Sequence, residues 1–401
     1  MLILVCNLGS TSFKYKLFDM NHDSAEPRVV AEGASDRIGQ GNSAWSVAVE
    51  DNSDQGVTDL ADHAEAIELA LDQLKQQGAV TRLDEVDAIG FKAVHGGQIS
   101  DPVQVDEHVL SVMEDFCDVV PQHNPPYIAA MRAFFAQLPN TPQVAAFETG
   151  FHQSIPLARQ VYGVPHEWVQ KHHIRRYGFH GASHRYIAVR MAEIQPRAQR
   201  VISCHLGGSC SISAIDGGVS VANSFGMTSQ TGVFHSSRVG DFDTFVLLKL
   251  MQAGMDLDTV WRVLGKESGL KGLSGISADM REVEEAADAG DQRAKLAVDA
   301  FVDSCRHYVG AYLAVLGGAD AIVFTGGIGQ NGKAIRAAIC ANMQYAGIEL
   351  DAAKNENLQR NAEASIHRDG AGVQVWVVPT NEELIIAQQT LAVLSQKQTV
   401  R

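Results

Sequence analysis

The chain lacks most of the features that would take it out of the cytoplasm. No uninterrupted apolar run reaches the roughly 20 residues that a membrane-spanning helix needs. The first residues read as a strand, with no basic n-region and no cleavage-site pattern, so no secretory leader is expected. The six cysteines (Cys6, Cys117, Cys204, Cys210, Cys305 and Cys340) form no CxxC pair and are too sparse for a disulfide framework. They fit buried thiols in a reducing cytoplasm rather than a redox or metal centre. Basic residues are outnumbered, 32 against 47 acidic ones, and the formal charge is −15. That balance argues against nucleic acid and anionic membrane as general partners, while a local basic cluster can still hold a small anion. The nucleotide signatures of fixed spacing, a Walker A loop with its lysine and GxGxxG, are also missing.

What is present is 401 residues, 45% of them hydrophobic, enough for two domains with ample cores. They are organised around Leu2–Asp19, LILVCNLGSTSFKYKLFD. An apolar strand turns at Asn7-Leu8-Gly9-Ser10 and runs out again through Phe13–Phe18, with Lys14 close behind the turn. This is either an ordinary polar hairpin or a turn whose glycine, hydroxyls and backbone N–H groups receive an anion. Val201–Gly217, VISCHLGGSCSISAIDG, repeats it: Cys6-Asn7-Leu8-Gly9 lies on Cys204-His205-Leu206-Gly207, 198 residues further on. Two hairpins of one type half a chain apart predict two similar halves around a shared ligand.

Between and after them, Arg28–Gly33 and Ala44–Glu50 read as strands, and Val57–Gln77 as an amphipathic helix. Val86–Val94 is a buried strand carrying Lys92, which either snorkels from an edge or binds an anion at the strand's C-terminal end. Val119–Tyr127 reads as a loop stiffened by three prolines. Val144–Phe147 is a strand followed by Glu148, a helix cap or a catalytic or metal-binding carboxylate. Lys171–Arg185, KHHIRRYGFHGASHR, holds four histidines and four lysines or arginines. It reads as a solvated basic face, a metal site, or an anion-binding loop using His180 or Arg176. Arg238 lies alone in the long loop Asn223–Asp243, a candidate for stabilising charge on a transferring phosphoryl. Ser268–Arg281 is another glycine and serine loop, and Arg293–Leu316 a long helix. Ile322–Asn331 runs from a strand into adjacent glycines and a helix, where a flat base and ribose can lie on the backbone. After the strand Val373–Pro379, acidic residues open the last helix, Glu382–Leu394; they favour the dipole or bind Mg²⁺.

Taken together these motifs resemble the acetate and propionate kinases of the sugar kinase–Hsp70–actin superfamily. The landmarks are Asn7–Lys14, VHGG at Val94–Gly97, HNPP at His123–Pro126, GFHGASH at Gly178–His184 and HLG at His205–Gly207. They continue with Arg238 and Gly240-Asp241, SGISADMR at Ser274–Arg281, FTGGIG at Phe324–Gly329 and TNEEL at Thr380–Leu384. The resemblance covers essentially the whole chain. It implies an α/β fold of two duplicated actin- and Hsp70-like (ribonuclease H-like) domains with a central cleft. Residues 1–150 form the first, joined by the returning helix at about 383–401, and residues 151–382 form the second, nucleotide-binding one. It implies a cytoplasmic homodimer that transfers a phosphoryl reversibly from ATP to a short carboxylic acid, with Mg²⁺ (or Mn²⁺), giving an acyl phosphate and ADP. By the same resemblance Asn7 and Glu382 hold the metal, and Glu148, His180, Arg238 and Lys92 are catalytic. Lys14, His205, Leu206, Gly207, Gly208, Ser209, Asp279, Met280, Arg281, Gly326, Gly327, Ile328, Gly329 and Asn331 bind the nucleotide. Val94, Gln122, His123, Phe179 and Ser229, with Lys92, surround the acid.

Several positions depart from that family's usual pattern. Lys92 stands for arginine, Glu148 for aspartate, Gln122 for leucine and Ser229 for proline, and HLGGS for HLGNG. Gln122 and Ser229 bring polar groups to the acid pocket, so a more polar acid, or a donor other than ATP, is the alternative. A third reading is a non-catalytic ATP-binding protein. A carboxylic acid with a pKa of about 4 is already an anion at neutral pH, so the reaction needs charge neutralisation and alignment more than a base.

Overall fold

The computed structural model describes residues 1–21 and 27–399. Residues 400 and 401, at the end of the segment assigned to the returning helix, lie outside the described residues. The chain divides into two compact units, Met1–Gly150 with Asn381–Arg401, and Phe151–Thr380.

In the first unit, eight strands form one sheet: β1 (Leu2–Leu8), β2 (Ser12–Asp19), β3 (Arg28–Asp36), β4 (Ser43–Val49), β5 (Asn52–Thr58), β6 (Ala88–Ala93), β7 (Val103–Gln104) and β8 (Gln143–Phe147). Their order is β5-β4-β3-β2-β1-β6-β8-β7. The apolar runs sort themselves by position. Ile3, Leu4, Val5 and Cys6 of β1 are buried on both faces, as a central strand requires, while the polar β5 lies exposed at the edge. The last helix, Glu382–Thr399, packs against β1, β6 and β8. A Cβ at Gly90 on β6 would stand 2.4 Å from the Thr390 Oγ1 of that helix, so the absent side chain sets how closely the two approach.

In the second unit, β9 (Arg200–Leu206), β10 (Cys210–Asp216), β11 (Val219–Asn223), β12 (Ala321–Thr325), β13 (Ala364–Ser365) and β14 (Gln374–Val377) form a sheet in the order β11-β10-β9-β12-β14-β13. This repeats six strands of the first sheet, from β3 through to the edge strand β7, in order and direction. Three are antiparallel, the next two join them in parallel, and a short antiparallel strand closes the edge. The repeated hairpins are β1–β2 and β9–β10. Helix Gln292–Leu316 covers β9 and β10 with Ala294, Ala297, Phe301, Cys305 and Val309, all buried at helical spacing.

The observed elements differ locally from those expected. The stretch from Val57 is a strand end, and the helix begins at His63 because Asp62 caps it, accepting from the Ala64 and Glu65 N–H groups. The proline-rich loop already contains a helix start: Asn124–Gln137 opens with Pro125 and Pro126, which need no N–H partner in a first turn. The Ser268–Arg281 loop contains a short helix, Gly269–Ser274.

Candidate active site

In the first unit the site is built on the ends of β1, β6 and β8 and on the first turn of the last helix. Lys92 projects from β6 with its side chain 17% exposed. It forms an ion pair with Glu382 and stands 3.9 Å from Glu148, which follows β8. Burial pulls the Lys92 ammonium down, but Glu382, Glu148 and Tyr127 outweigh it and hold its pKa above the ordinary lysine range. Lys92, expected to bind an anion, is thus shared by two carboxylates. Asn7 donates from Nδ2 to Glu383 Oε1 at 3.4 Å, and its Oδ1 accepts from the Tyr127 hydroxyl at 3.5 Å. That hydroxyl accepts in turn from the Leu8 N–H at 2.9 Å. Lys14 is the register partner of Asn7 across the hairpin and is exposed.

The VHGG and HNPP stretches are tied together by a residue the sequence reading passed over. Asn124 is fully buried, accepts from the His95 N–H, and donates to the carbonyls of His95 at 3.0 Å and Met113 at 2.8 Å. His95 stacks on Phe116, with ring centroids 4.5 Å apart. Val94 and His123 are half-buried, with His123 at the N-cap of the Asn124–Gln137 helix, and Gln122 is exposed.

In the second unit, the dense KHHIRRYGFHGASHR stretch separates into exposed and buried parts. His172 and His173 are exposed, whereas His184 is fully buried. His180 takes a left-handed backbone (φ 57°) at the N-cap of helix Gly181–Ile194 and hydrogen-bonds Ser211 Oγ through Nδ1 at 2.9 Å. Its ring lies 4.3 Å from that of His205, whose Nδ1 meets Ser183 Oγ at 2.8 Å. Phe179 is buried against Phe225. Arg238 donates from Nη1 to the carbonyl and hydroxyl oxygens of Ser229, the latter at 2.9 Å. Burial lowers the Arg238 pKa to about 10, so it remains a cation at neutral pH. Ser229 therefore holds the arginine. The serines that line this layer had a signal in the sequence: Ser211 and Ser213 recur at strand period on one face of β10.

The glycine turns of the same unit line a groove of about 730 Å³. Gly207, Gly208, Asp279, Met280, Arg281, Gly327, Ile328 and Asn331 stand on it, together with Ser236, Glu284 and Arg360, which the sequence reading did not name. His205, Leu206, Ser209, Gly326 and Gly329 are not among its lining residues. Leu206, Gly326 and Gly329 are buried, while Ser209 is half-buried in the β9–β10 turn. A Cβ at Gly326 (φ 76°) would meet the Leu206 carbonyl at 2.6 Å, so only glycine lets these two turns touch. Asp279 caps helix Met280–Asp288, accepting from the Arg281 N–H at 2.9 Å. Arg336, fully buried, donates to the Gly329 and Gln330 carbonyls at 2.9 and 2.7 Å and so ties down the end of helix Gly326–Asn331.

Asn7, Glu148, Glu382 and Glu383 offer only oxygen donors, the type a hard divalent cation takes. Among the described residues no group of three His, Cys, Asp or Glu side chains stands close enough to hold a metal by itself. The set fits Mg²⁺ of the kind that keeps one or two carboxylates and completes its octahedron with water and phosphate oxygens. No helix is long and apolar enough to cross a membrane among the described residues.

The sequence model of the Acetokinase family matches residues 2–388. The acetate kinase of Geobacillus kaustophilus is 41% identical over 394 residues, 97% of this chain and 98% of that protein. The acetate kinase of Shouchella clausii is 39% identical over 398 residues, 98% of this chain and 99% of that protein. Among solved structures, Porphyromonas gingivalis acetate kinase is similar with a TM-score of 0.89 at 37% identity, covering 98% of this chain and 99% of that one. A propionate kinase from Francisella tularensis gives 0.90 at 34% identity, with the same coverage of 98% and 99%.

The buried imidazoles make stability depend on pH. Burial lowers the His152 pKa to about 4 and holds His184 and His235 well below the ordinary value. Unfolded, each binds a proton near pH 6.5, so the unfolded state carries more protons than the folded one below that pH. Stability is therefore complete above about pH 6.5 and falls as pH drops toward 4, by about 1.4 kcal/mol per pH unit for each proton taken up. Urea midpoints are expected to fall steadily between pH 7 and pH 5; a constant midpoint contradicts neutral burial.

Proposed function

The chain belongs to the acetokinase family and is an ATP-dependent carboxyl-group phosphotransferase; we propose that acetate is its acid, that transfer is reversible, and that Mg²⁺ accompanies the nucleotide. The observation that carries this reading is the single family match across residues 2–388, which takes in both hairpin turns, Arg238 and the GGIG turn. The more polar acid loses its motive, because the Ser229 hydroxyl is engaged by Arg238 and Gln122 is exposed.

Each set of residues has a task matched to its chemistry. Acetate arrives as an anion, so no strong base is required. Arg238, a half-buried cation beside Ser229, neutralises charge on the transferring phosphoryl, and His180 donates a hydrogen bond to it. The turns at Gly207-Gly208 and Gly327-Ile328 admit the nucleotide to the backbone, and Asp279–Arg281 flank it. In the first unit, Lys92 holds Glu382 and Glu148 in place, and Asn7 is oriented by Tyr127 and Glu383. Asn7, Glu382 and Glu148 would hold Mg²⁺, which would supply positive charge against the phosphates. On the family resemblance, Val94 and His123 are assigned to the acid in the first unit and Phe179 in the second.

The family resemblance also supports a homodimer. In the second unit, helices Val246–Gln252 and Leu257–Lys266 leave an apolar patch in solvent, with Phe245 77%, Leu248 57% and Trp261 56% exposed. A patch of this kind marks an association surface. Light scattering is expected to give twice the chain mass for the wild type and the single mass for Trp261→Glu. A monomeric wild type overturns the dimer.

Hydroxamate trapping with ATP and Mg²⁺ over a panel of short acids is expected to show acetate as the best acceptor, with propionate next. No acyl hydroxamate with any acid would remove the phosphotransferase reading. Arg238→Ala is expected to lower kcat by about 10²–10³ while the KM for ATP changes little. An unchanged kcat removes its role.

A further inference from the structure

Resting on the reading of His180 given above, we propose that Ser211 is a positioning residue that fixes the proton of His180 on Nε2. The geometry is a buried chain of four side chains from three elements. Ser203 Oγ of β9 meets His184 Nδ1 at 2.9 Å, and His184 Nε2 meets Ser211 Oγ of β10 at 2.8 Å. Ser211 Oγ then meets His180 Nδ1 at 2.9 Å. Ser203, His184 and Ser211 are all fully buried. Burial keeps His184 neutral, helped by the neighbouring His152 and His205, so that ring carries a single N–H.

With one proton on each hydroxyl and one on the His184 ring, the chain of bonds runs in one of two directions. In the first, Ser203 donates to His184 Nδ1, His184 Nε2–H donates to Ser211, and Ser211 donates to His180 Nδ1. Neutral His180 then carries its proton on Nε2. In the second, every bond is reversed: His180 Nδ1–H donates to Ser211, Ser211 to His184, and His184 Nδ1–H to Ser203. The second direction leaves the Ser203 hydroxyl proton stranded, since His184 is its side-chain partner and no other acceptor for it is found among the described residues. A buried donor left without an acceptor is strongly unfavourable. The first direction has no stranded proton, so it is the one adopted.

This has two consequences for His180. As a neutral ring it presents an Nε2–H donor, which is what hydrogen-bonding a phosphoryl oxygen requires. It also resists becoming an imidazolium, because a proton on Nδ1 would force the whole chain into the reversed direction. Its place at a helix N-terminus disfavours a positive charge in the same sense. Among the rings lying against it are His184 from its own helix, His205 from β9 and Phe225. The donor is therefore set by hydrogen bonding.

The test is the tautomer itself, together with the kcat–pH profile. Long-range ¹H–¹⁵N spectra of the full-length enzyme labelled in histidine, with the His180 signals assigned by their loss in His180→Gln, are expected to show Nδ1 unprotonated and Nε2 protonated at neutral pH. The opposite pattern, read in the wild-type enzyme with the variant serving only for assignment, overturns the proposal. Ser211→Ala is expected to lower kcat about tenfold to a hundredfold, the range that one stranded buried hydroxyl supports. The KM for ATP should change little, and an inflection near pH 6.5 absent from the wild type should appear. Ser203→Ala, three hydrogen bonds removed from His180, is expected to introduce the same inflection, and Ser211→Thr, which keeps the hydroxyl, to lack it. Profiles without the inflection in both alanine variants, with native circular dichroism, also overturn it. A fully active His180→Ala removes the catalytic reading of His180 and is separate from the tautomer result.

Discussion

A lysine ammonium on the inner part of β6 is tolerable only if opposite charge is brought to it, and the first unit is arranged to do so. Lys92 draws one carboxylate, Glu148, from the end of the neighbouring strand and another, Glu382, from a helix 290 residues away in sequence. Removing either partner of a buried pair leaves an uncompensated charge, which costs about 3–5 kcal/mol. The apolar side of the same helix, Ile385, Ile386 and Ala387, is buried, so ion pairing and burial act together in fixing where it starts. Asn7 gains its orientation from the same turn, through Glu383.

The duplicated sheets show how one scaffold serves two chemistries. Both place a hairpin turn at the end of a central strand and a parallel strand beside it. On β1 the residue before the turn is Asn7, next to carboxylates; on β9 the equivalent residue is His205, next to histidines and serines. One unit thus offers oxygen ligands and the other hydrogen-bond donors. The backbone pattern is shared, and the difference lies in which side chains the following elements bring to it.

The hairpins, their repetition, the glycine turn after β12 and the isolated Arg238 were legible because they are local: strand period, turn residues and spacing carry them. What was not legible depends on partners far apart in sequence. Nothing near Lys92 announces that two carboxylates converge on it. Asn124 looks like part of a proline-rich loop until its bonds to His95 and Met113 are seen. His184 and His180 are four residues apart and read alike, yet one is sealed in the core and the other caps a helix; their difference is made by Ser203 and Ser211, on strands that the sequence places later. Ser229 suggested a polar substrate because its hydroxyl was considered alone, without the arginine that engages it. Arg360 and Glu284 reach the glycine-lined groove from positions without any motif.

The discontinuous make-up of the first unit also orders events at the ribosome. Phe151–Thr380 is one contiguous stretch and has every residue of its sheet available before the helix Glu382–Thr399 is made. Met1–Gly150 is made before it but is completed after it, because β1, β6 and β8 lack their covering helix until Glu382–Thr399 has been made. For that interval the apolar strips that receive Ile385 and Ile386 are bare and Lys92 is without Glu382. A nascent chain stalled or truncated short of Glu382 therefore carries a complete second unit and an open first one, the form that chaperones and proteases recognise.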